Sequence, residues 1–192
     1  YITSGFEHIL PKGLDHILFI LGIFLFSSRL KPLLWQVTMF TIAHTLTLGL
    51  SINGYINLPA SVVEPLIALS IAYIGFENIL HKSLHKSRLL IVFLFGLLHG
   101  LGFASVLADF GMPEDDFIVA LISFNIGVEL GQLSIIIGAY FFITFWFKDK
   151  LWYKKWVIIP CSLLICLIGL YWTYDRFDYS MFINGVLNEV FT

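Results

Sequence analysis

The sequence predicts an all-α fold, a polytopic membrane helix bundle with about six spanning helices and both chain termini outside. Three observations lead there: the composition, the lengths of the apolar stretches and the placement of charge on the connections between them. Of the 192 residues, 58% are hydrophobic and 12% are charged, whereas soluble domains carry roughly 25% charged residues. A soluble fold of this size could not hide so much apolar surface, so the surrounding solvent is predicted to be lipid.

Six apolar stretches approach or exceed the length of about 20 residues that a helix needs to cross a bilayer. They cover residues 13–26, 33–52, 60–80, 89–108, 117–147 and 156–174. Pro11 and Gly13 separate the first, short stretch from an amphipathic segment before it. The tail 175–192 has apolar residues at near-helical spacing, which fits an interfacial segment. No linker or low-complexity segment divides the chain, so we expect a single membrane domain over residues 1–192.

The connections alternate in charge, and this alternation gives the orientation. Nine of the eleven Lys and Arg residues lie on the first, third and fifth connections: Arg29, Lys31, Lys82, Lys86, Arg88, Lys148, Lys150, Lys154 and Lys155. The second connection, 53–59, is uncharged, and the fourth carries Asp109, Glu114, Asp115 and Asp116. Because basic connections stay on the cytoplasmic side, both termini are predicted outside. The first residue is Tyr1, so either a signal peptide has been removed or the numbering begins inside a longer precursor.

Ionisable side chains inside the apolar stretches are the strongest functional signal, because each is costly in lipid and needs a partner or a purpose. Counted from the outer helix ends at about 1.5 Å per residue, a set of polar residues from five helices shares the outer half of the bilayer. This set is Asp15, His16, His44, Glu64, His99, Asn125 and Glu129. Imidazole together with carboxylate is a ligand set for divalent transition metals, so the sequence predicts an intramembrane metal site.

The geometry of the first helix leaves two points to be settled. Asp15 and His16 point about 100° apart on a regular helix, so both join one site only if the helix start is distorted, which Gly13 permits. His8 precedes Pro11 and is placed to fold back over the site as an outer ligand. We therefore include His8 among the candidate metal residues.

Several of these residues also have simpler interpretations. A single buried His in a membrane helix can be a hydrogen-bonded packing residue, and Glu64 stands near a helix start, where a carboxylate complements the helix dipole. Glu77 lies on the inner half and is expected to pair with a lysine of the next connection, where His81 and His85 are expected to be solvated. The aromatic residues receive no cofactor role. The shared depth of several histidines and carboxylates favours a site over these separate explanations.

At these residues the sequence resembles the HupE/UreJ family of hydrogenase and urease accessory membrane proteins. The matching segments are GFEH (5–8), GLDHILF (13–19), FTIAHTLTL (40–48), VEPLIALS (63–70), FGLLHGLGFA (95–104) and FNIGVELGQ (124–132). The resemblance implies a nickel or cobalt permease-like role in a bacterial inner membrane, with metal entering from the periplasm to supply metalloenzyme maturation. In that family the expected metal-handling residues are a His and an Asp-His pair of the first helix, which here are His8, Asp15 and His16.

Three functions remain open at this point. The first is transport of a divalent metal ion, with the acidic connection concentrating cations at the mouth, although only Glu77 offers a ligand in the inner half. The second is an intramembrane metalloenzyme whose metal activates water, with Glu129 or Glu64 as general base and a substrate that arrives through the lipid. The third is a metal-stabilised scaffold without turnover. The expected partners are nickel, cobalt or zinc, membrane lipid and a metalloenzyme maturation system, with no nucleic acid and an open oligomeric state.

Overall fold

The computed structural model describes residues 1–26, 29–80, 87–110 and 116–177, with the backbone alone over 104–110, and its regular structure there is entirely helical. In these ranges the elements are α1 (Ile2–Ile9), α2 (Leu14–Phe26), α3 (Leu30–Ile52), α4 (Ala60–Leu80), α5 (Ser87–Phe110), α6 (Phe117–Phe147) and α7 (Lys154–Arg176). A π-helical turn lies near the end of α6, and another opens α7. The predicted all-α membrane fold is confirmed.

Four helices, α3, α4, α6 and α7, are long and apolar enough to cross a membrane. The helices α1 and α2 reach this criterion only as a pair bent by 72°, which would make a fifth span. The apolar part of α5 whose side chains are described, Ser87–Phe103, is shorter. The helix bounds follow the predicted stretches to within three residues, but the count of six spans stays a prediction.

Some predicted features fall on parts of the chain that the structure does not describe. They are His81 and His85 of the third connection, Glu114 and Asp115 of the fourth, the side chain of Asp109, and the tail beyond residue 177. Their predictions therefore stand as they were made from the sequence.

Glycines mark the closest helix contacts. The helix α1 packs against α6, α3 against α5, and α4 against α7. A β-carbon on Gly127 of α6 would collide with the backbone of α1, and one on Gly75 of α4 would collide with the backbone of α7. On α5, Gly96 and Gly100 face the backbone of α3 in the same way. Because small residues let helix backbones approach, His99, which lies between these two glycines, is held directly against α3.

The short helix α2 forms the centre of the bundle. Its side chains Phe19, Ile20, Ile23 and Phe24 are at most 1% exposed, as expected of a helix that is apolar on all sides. It contacts α4, α6, α7 and α3. Since His16 lies in the first turn of α2, this central position brings its imidazole within reach of several helices at once.

A buried polar network joins the helices at the end that carries the basic connections. Glu77 pairs with Arg88 at the start of α5, and the two atoms Nη1 and Oε2 lie 2.5 Å apart. Arg88 is only 1% exposed; its Nε donates to Gln36 Oε1 at 2.9 Å. Its guanidinium also lies over the Phe26 ring, 4.0 Å from the centroid. The structure thus gives Glu77 an arginine partner, while the lysines from which the sequence predicted a partner, Lys82 and Lys86, lie outside the described residues.

Candidate metal centre

The break between α1 and α2 brings two histidines together. Pro11 has no backbone N–H and cannot continue α1. A β-carbon on Gly13 would collide with the backbone oxygen of His8, so only glycine permits the tight return of the chain. As a result His8, in the last turn of α1, lies against His16, with ring centroids 4.7 Å apart. The sequence-based expectation that His8 folds back over His16 matches this arrangement.

Histidines from four helices converge around His16. Its ring centroid lies 4.9 Å from that of His99 on α5 and 5.7 Å from that of His44 on α3. One ring nitrogen each from His8, His16 and His44 lies within 4.8 Å of the other two. His16, His44 and His99 are at most 5% exposed, and His8 is half-buried. We call these four residues the histidine cluster.

The Nε2 atom of every ring in the histidine cluster is buried and has no hydrogen-bond partner among the described residues. The other nitrogen is fixed in two of the rings. His99 Nδ1 lies 2.8 Å from the Phe95 carbonyl oxygen, and His44 Nδ1 lies 3.1 Å from Asn125 Oδ1. The Phe95 carbonyl oxygen can only accept. Asn125 donates its Nδ2 to the Leu121 carbonyl oxygen, which fixes the amide so that Oδ1, also an acceptor only, faces His44. Nδ1 therefore carries the proton in each neutral ring, and Nε2 presents a lone pair.

This donor set fits a transition-metal ion. A buried polar atom left without a partner costs about 1–3 kcal/mol, and four of them in one place need a common explanation. Histidine ligands bind a metal through one ring nitrogen while the other donates to a carbonyl or amide oxygen that orients the ring. Imidazole nitrogens suit zinc, copper, nickel and iron, whereas magnesium and calcium prefer oxygen. The histidine cluster is thus chemically suited to a borderline divalent ion.

Aromatic side chains wall the histidine cluster. The Phe40 ring lies 4.9 Å from the His99 ring and 5.8 Å from the His16 ring, centroid to centroid. The Phe103 ring packs on the His8 ring, with the two centroids 3.7 Å apart. The fold shows that these aromatic rings turn inward, which their positions in the sequence do not reveal.

A cavity of about 780 Å³ leads from the surface to the histidine cluster and is lined by His8, His16 and His99. Charged side chains stand around it: Glu7, Lys12, Asp15, Glu64 and Arg176. Lys12 pairs with Glu7 at 2.9 Å, and Arg176 pairs with Asp15 at 3.0 Å. The cluster is therefore accessible from one end of the bundle, the end opposite to Arg88.

The structure distributes the sequence-predicted site residues over three positions. His8, His16, His44 and His99 come together, and Asn125 stands behind His44 as its hydrogen-bond partner. Asp15 lines the same cavity as His16 and binds Arg176 through both carboxylate oxygens, at 3.0 and 3.2 Å. Glu64 is exposed on the cavity wall.

Glu129 occupies the third position. Its Oε1 accepts a hydrogen bond from Thr38 Oγ1 at 2.7 Å, between α3 and α6. Sequence analysis missed Arg176 as the partner of Asp15. It is the last residue of α7, and its place at the cavity mouth depends on how α7 packs.

Apolar helices of membrane-spanning length around buried imidazoles define the class: an integral membrane protein with a histidine cluster suited to a metal ion. A family model described as HupE / UreJ protein matches residues 1–176. The chain belongs to the HupE/UreJ family, as the sequence segments predicted. No curated protein and no solved structure gives a significant match to the chain.

Proposed function

We propose that the protein carries a divalent transition-metal ion, nickel or cobalt, across the membrane, with the histidine cluster as the binding site on the route. The observation that carries this proposal is the set of four buried Nε2 atoms without a partner in the described chain, three of which belong to rings whose nitrogens lie within 4.8 Å of one another. Zinc suits the same ligands, and membership in the HupE/UreJ family favours nickel or cobalt.

The route begins at the cavity. Its mouth lies at the helix ends opposite to the basic connections, so the positive-inside rule supports a periplasmic opening in a bacterial inner membrane with both termini on that side. Glu64 holds negative charge on the cavity wall and raises the local cation concentration. The ion then meets His8 first and is bound by His16, His44 and His99. A metalloenzyme maturation system is the expected recipient in the cytoplasm.

Uptake of nickel and cobalt into proteoliposomes that contain the purified protein tests this proposal. We expect His16→Ala to abolish uptake, because it removes the central ring of the cluster. Phe40→Leu is the matched control: it changes a buried ring in contact with the same imidazoles without removing a nitrogen ligand, and it should retain uptake. A wild-type protein that holds one tightly bound ion per chain yet takes up none of the divalent ions offered would overturn transport.

One observation favours a second function, an intramembrane metalloenzyme. Three histidines beside a cavity of about 780 Å³ resemble the arrangement in which a metal keeps an open position for an activated water. Glu64, on the cavity wall, would then be the candidate base. Hydrolytic turnover by the metal-loaded protein, lost in Glu64→Gln while metal binding persists, would favour this function over transport.

A further inference from the structure

Four oxygen-bearing side chains form two neighbouring hydrogen-bonded pairs between α3 and α6. Thr38 Oγ1 donates to Glu129 Oε1 at 2.7 Å, and Thr41 Oγ1 donates to Gln132 Oε1 at 3.1 Å. The two hydrogen bonds cross between antiparallel helices, because the threonine farther from His44 pairs with the residue nearer Asn125. The four residues lie three to seven positions beyond His44 and Asn125 along their helices, so the two pairs overlap in depth. We call them the oxygen quartet.

The oxygen quartet lies beyond the histidine cluster as seen from the cavity. His44 and Asn125 are joined at 3.1 Å, and the quartet follows about five residues further along both helices. At 1.5 Å per residue this is roughly 7 Å deeper. On α3 the next buried polar residue in the same direction is Gln36, which binds Arg88. The quartet therefore stands between the histidine cluster and the basic end of the bundle.

Gln132 holds an unused polar atom in the oxygen quartet. Its side chain is 0% exposed, and within the described part of the chain its Nε2 has no hydrogen-bond partner. The Thr41 hydroxyl also lies 3.2 Å from the Val37 carbonyl oxygen, to which it can donate. If the amide turns over, Nε2 donates to that hydroxyl and Oε1 is left with free lone pairs. The turn converts an unsatisfied donor into an open oxygen ligand.

We propose that the oxygen quartet is a second cation site, which receives the metal ion from the histidine cluster on its way to the cytoplasmic side. This inference rests on the proposed transport function. Carboxylate, amide and hydroxyl oxygens bind nickel and cobalt less tightly than a set of imidazoles does. Passage through a membrane requires binding that is strong enough to admit the ion and weak enough, over several sites, to release it. A tight nitrogen site followed by a weaker oxygen site meets this requirement and supplies the inner ligands that the sequence did not reveal.

Cobalt(II) is a suitable probe, because equilibrium dialysis of the purified protein counts bound ions and its visible absorption distinguishes nitrogen from oxygen ligands. We expect two ions per wild-type chain, one tight and one at least tenfold weaker. Gln132→Leu, which keeps the side-chain volume, should lose only the weaker ion and reduce proteoliposome uptake at least tenfold. Gln132→Glu should tighten the weaker ion at least tenfold and slow its release. Ser134→Ala is the matched control on the same helix. It removes an exposed hydroxyl whose hydrogen bond in the described structure goes to the Leu130 carbonyl oxygen.

The outcomes separate this inference from the proposed function. If the wild-type protein takes up cobalt, and Gln132→Leu shows unchanged uptake and unchanged cobalt binding, the second site is overturned and transport stands. If Gln132→Leu and Thr38→Val each lose both bound ions to the same extent and also lose thermal stability, the quartet serves helix packing alone and the inference is overturned. A wild-type protein that binds cobalt at neither site overturns both. Loss of the weaker ion in Gln132→Leu, with an unchanged nitrogen-type spectrum, supports the second site independently of the uptake measurement.

Discussion

The two ends of the bundle bury polar side chains in opposite ways. At the basic end, Arg88 is surrounded by acceptors from three side chains: Glu77, Gln36 and Asn78. At the other end, four imidazoles leave their Nε2 atoms without a partner in the described residues. In both regions the polar atoms named are buried, and a buried polar atom without a partner is costly. The first is complete without any added group, whereas the second is complete only with a ligand.

This difference separates a structural role from a binding role. The Arg88 network links α3, α4 and α5, and Asn78 extends it to α2 through the Gly22 carbonyl oxygen at 2.8 Å. Its value lies in holding these helices in register. The histidine cluster also draws on separate helices, but its rings approach each other without bonding to each other. Substitutions in the Arg88 network should therefore affect stability more than metal binding, and substitutions in the histidine cluster should affect metal binding more than stability.

The largest expected effect is on stability, in the Arg88 network. Glu77→Ala leaves a buried guanidinium without its counter-charge, and breaking such a pair costs about 3–5 kcal/mol. Denaturant unfolding in detergent without metal should show this loss. Glu64→Ala is the matched control on the same helix, where the carboxylate is exposed and the change should be under about 0.5 kcal/mol. Equal stability of the two variants would refute the structural role of the network.

The next effect is on metal affinity, at the residue behind the histidine cluster. Asn125→Leu removes the oxygen that fixes the tautomer of His44, and loss of such an orienting partner lowers metal affinity about 10–100-fold. Calorimetric titration with nickel measures it. Asn125→Asp keeps an acceptor oxygen at this place and should retain most of the affinity. Unchanged affinity in Asn125→Leu would contradict this orienting role.

A smaller effect with the opposite sign is expected for stability in the histidine cluster. His16→Leu replaces a buried atom without a partner by an apolar group, so the metal-free protein should gain about 1 kcal/mol. Wild-type protein should gain about 2.7 kcal/mol when nickel is present at 100 times its dissociation constant, and His16→Leu should gain none. Thermal unfolding with chelator and with nickel measures both. A destabilised metal-free variant would mean that His16 is a packing residue.

The sequence predicted the helices well because membrane crossing imposes a length. The stretches 60–80 and 117–147 coincide with α4 and with the whole of α6. It also predicted that histidines would share a depth, since depth follows from counting residues along each span. Neither argument says which face of one helix meets which face of another. That is why Glu129 was grouped with the histidines, whereas its oxygen meets Thr38.

The sequence did not predict the ion pairs between distant helix ends for the same reason: it does not show which helix faces meet. Arg88 stands among basic residues of a connection, and nothing local marks it as buried. The available signal was the pair of polar residues Glu77 and Asn78 inside the apolar helix α4. Asp15 and Arg176 are separated by most of the chain. Their contact depends on the packing of α7 beside α2, which composition and spacing leave undetermined.

The smallest effect is expected at the mouth of the cavity, where Arg176 neutralises Asp15. The pair is partly exposed, so Arg176→Gln should change stability by less than about 1 kcal/mol. It should, however, leave Asp15 and Glu64 both without a balancing charge beside the cavity and raise the initial rate of nickel uptake several-fold at low ionic strength. Since free charges are screened within about 8 Å at 0.15 M salt, the gain should fade as salt is added. Lys12→Gln serves as the control at the more exposed Glu7 pair and should produce a smaller gain. A rate that falls in Arg176→Gln would mean that the guanidinium positions Asp15 for the metal instead of masking it.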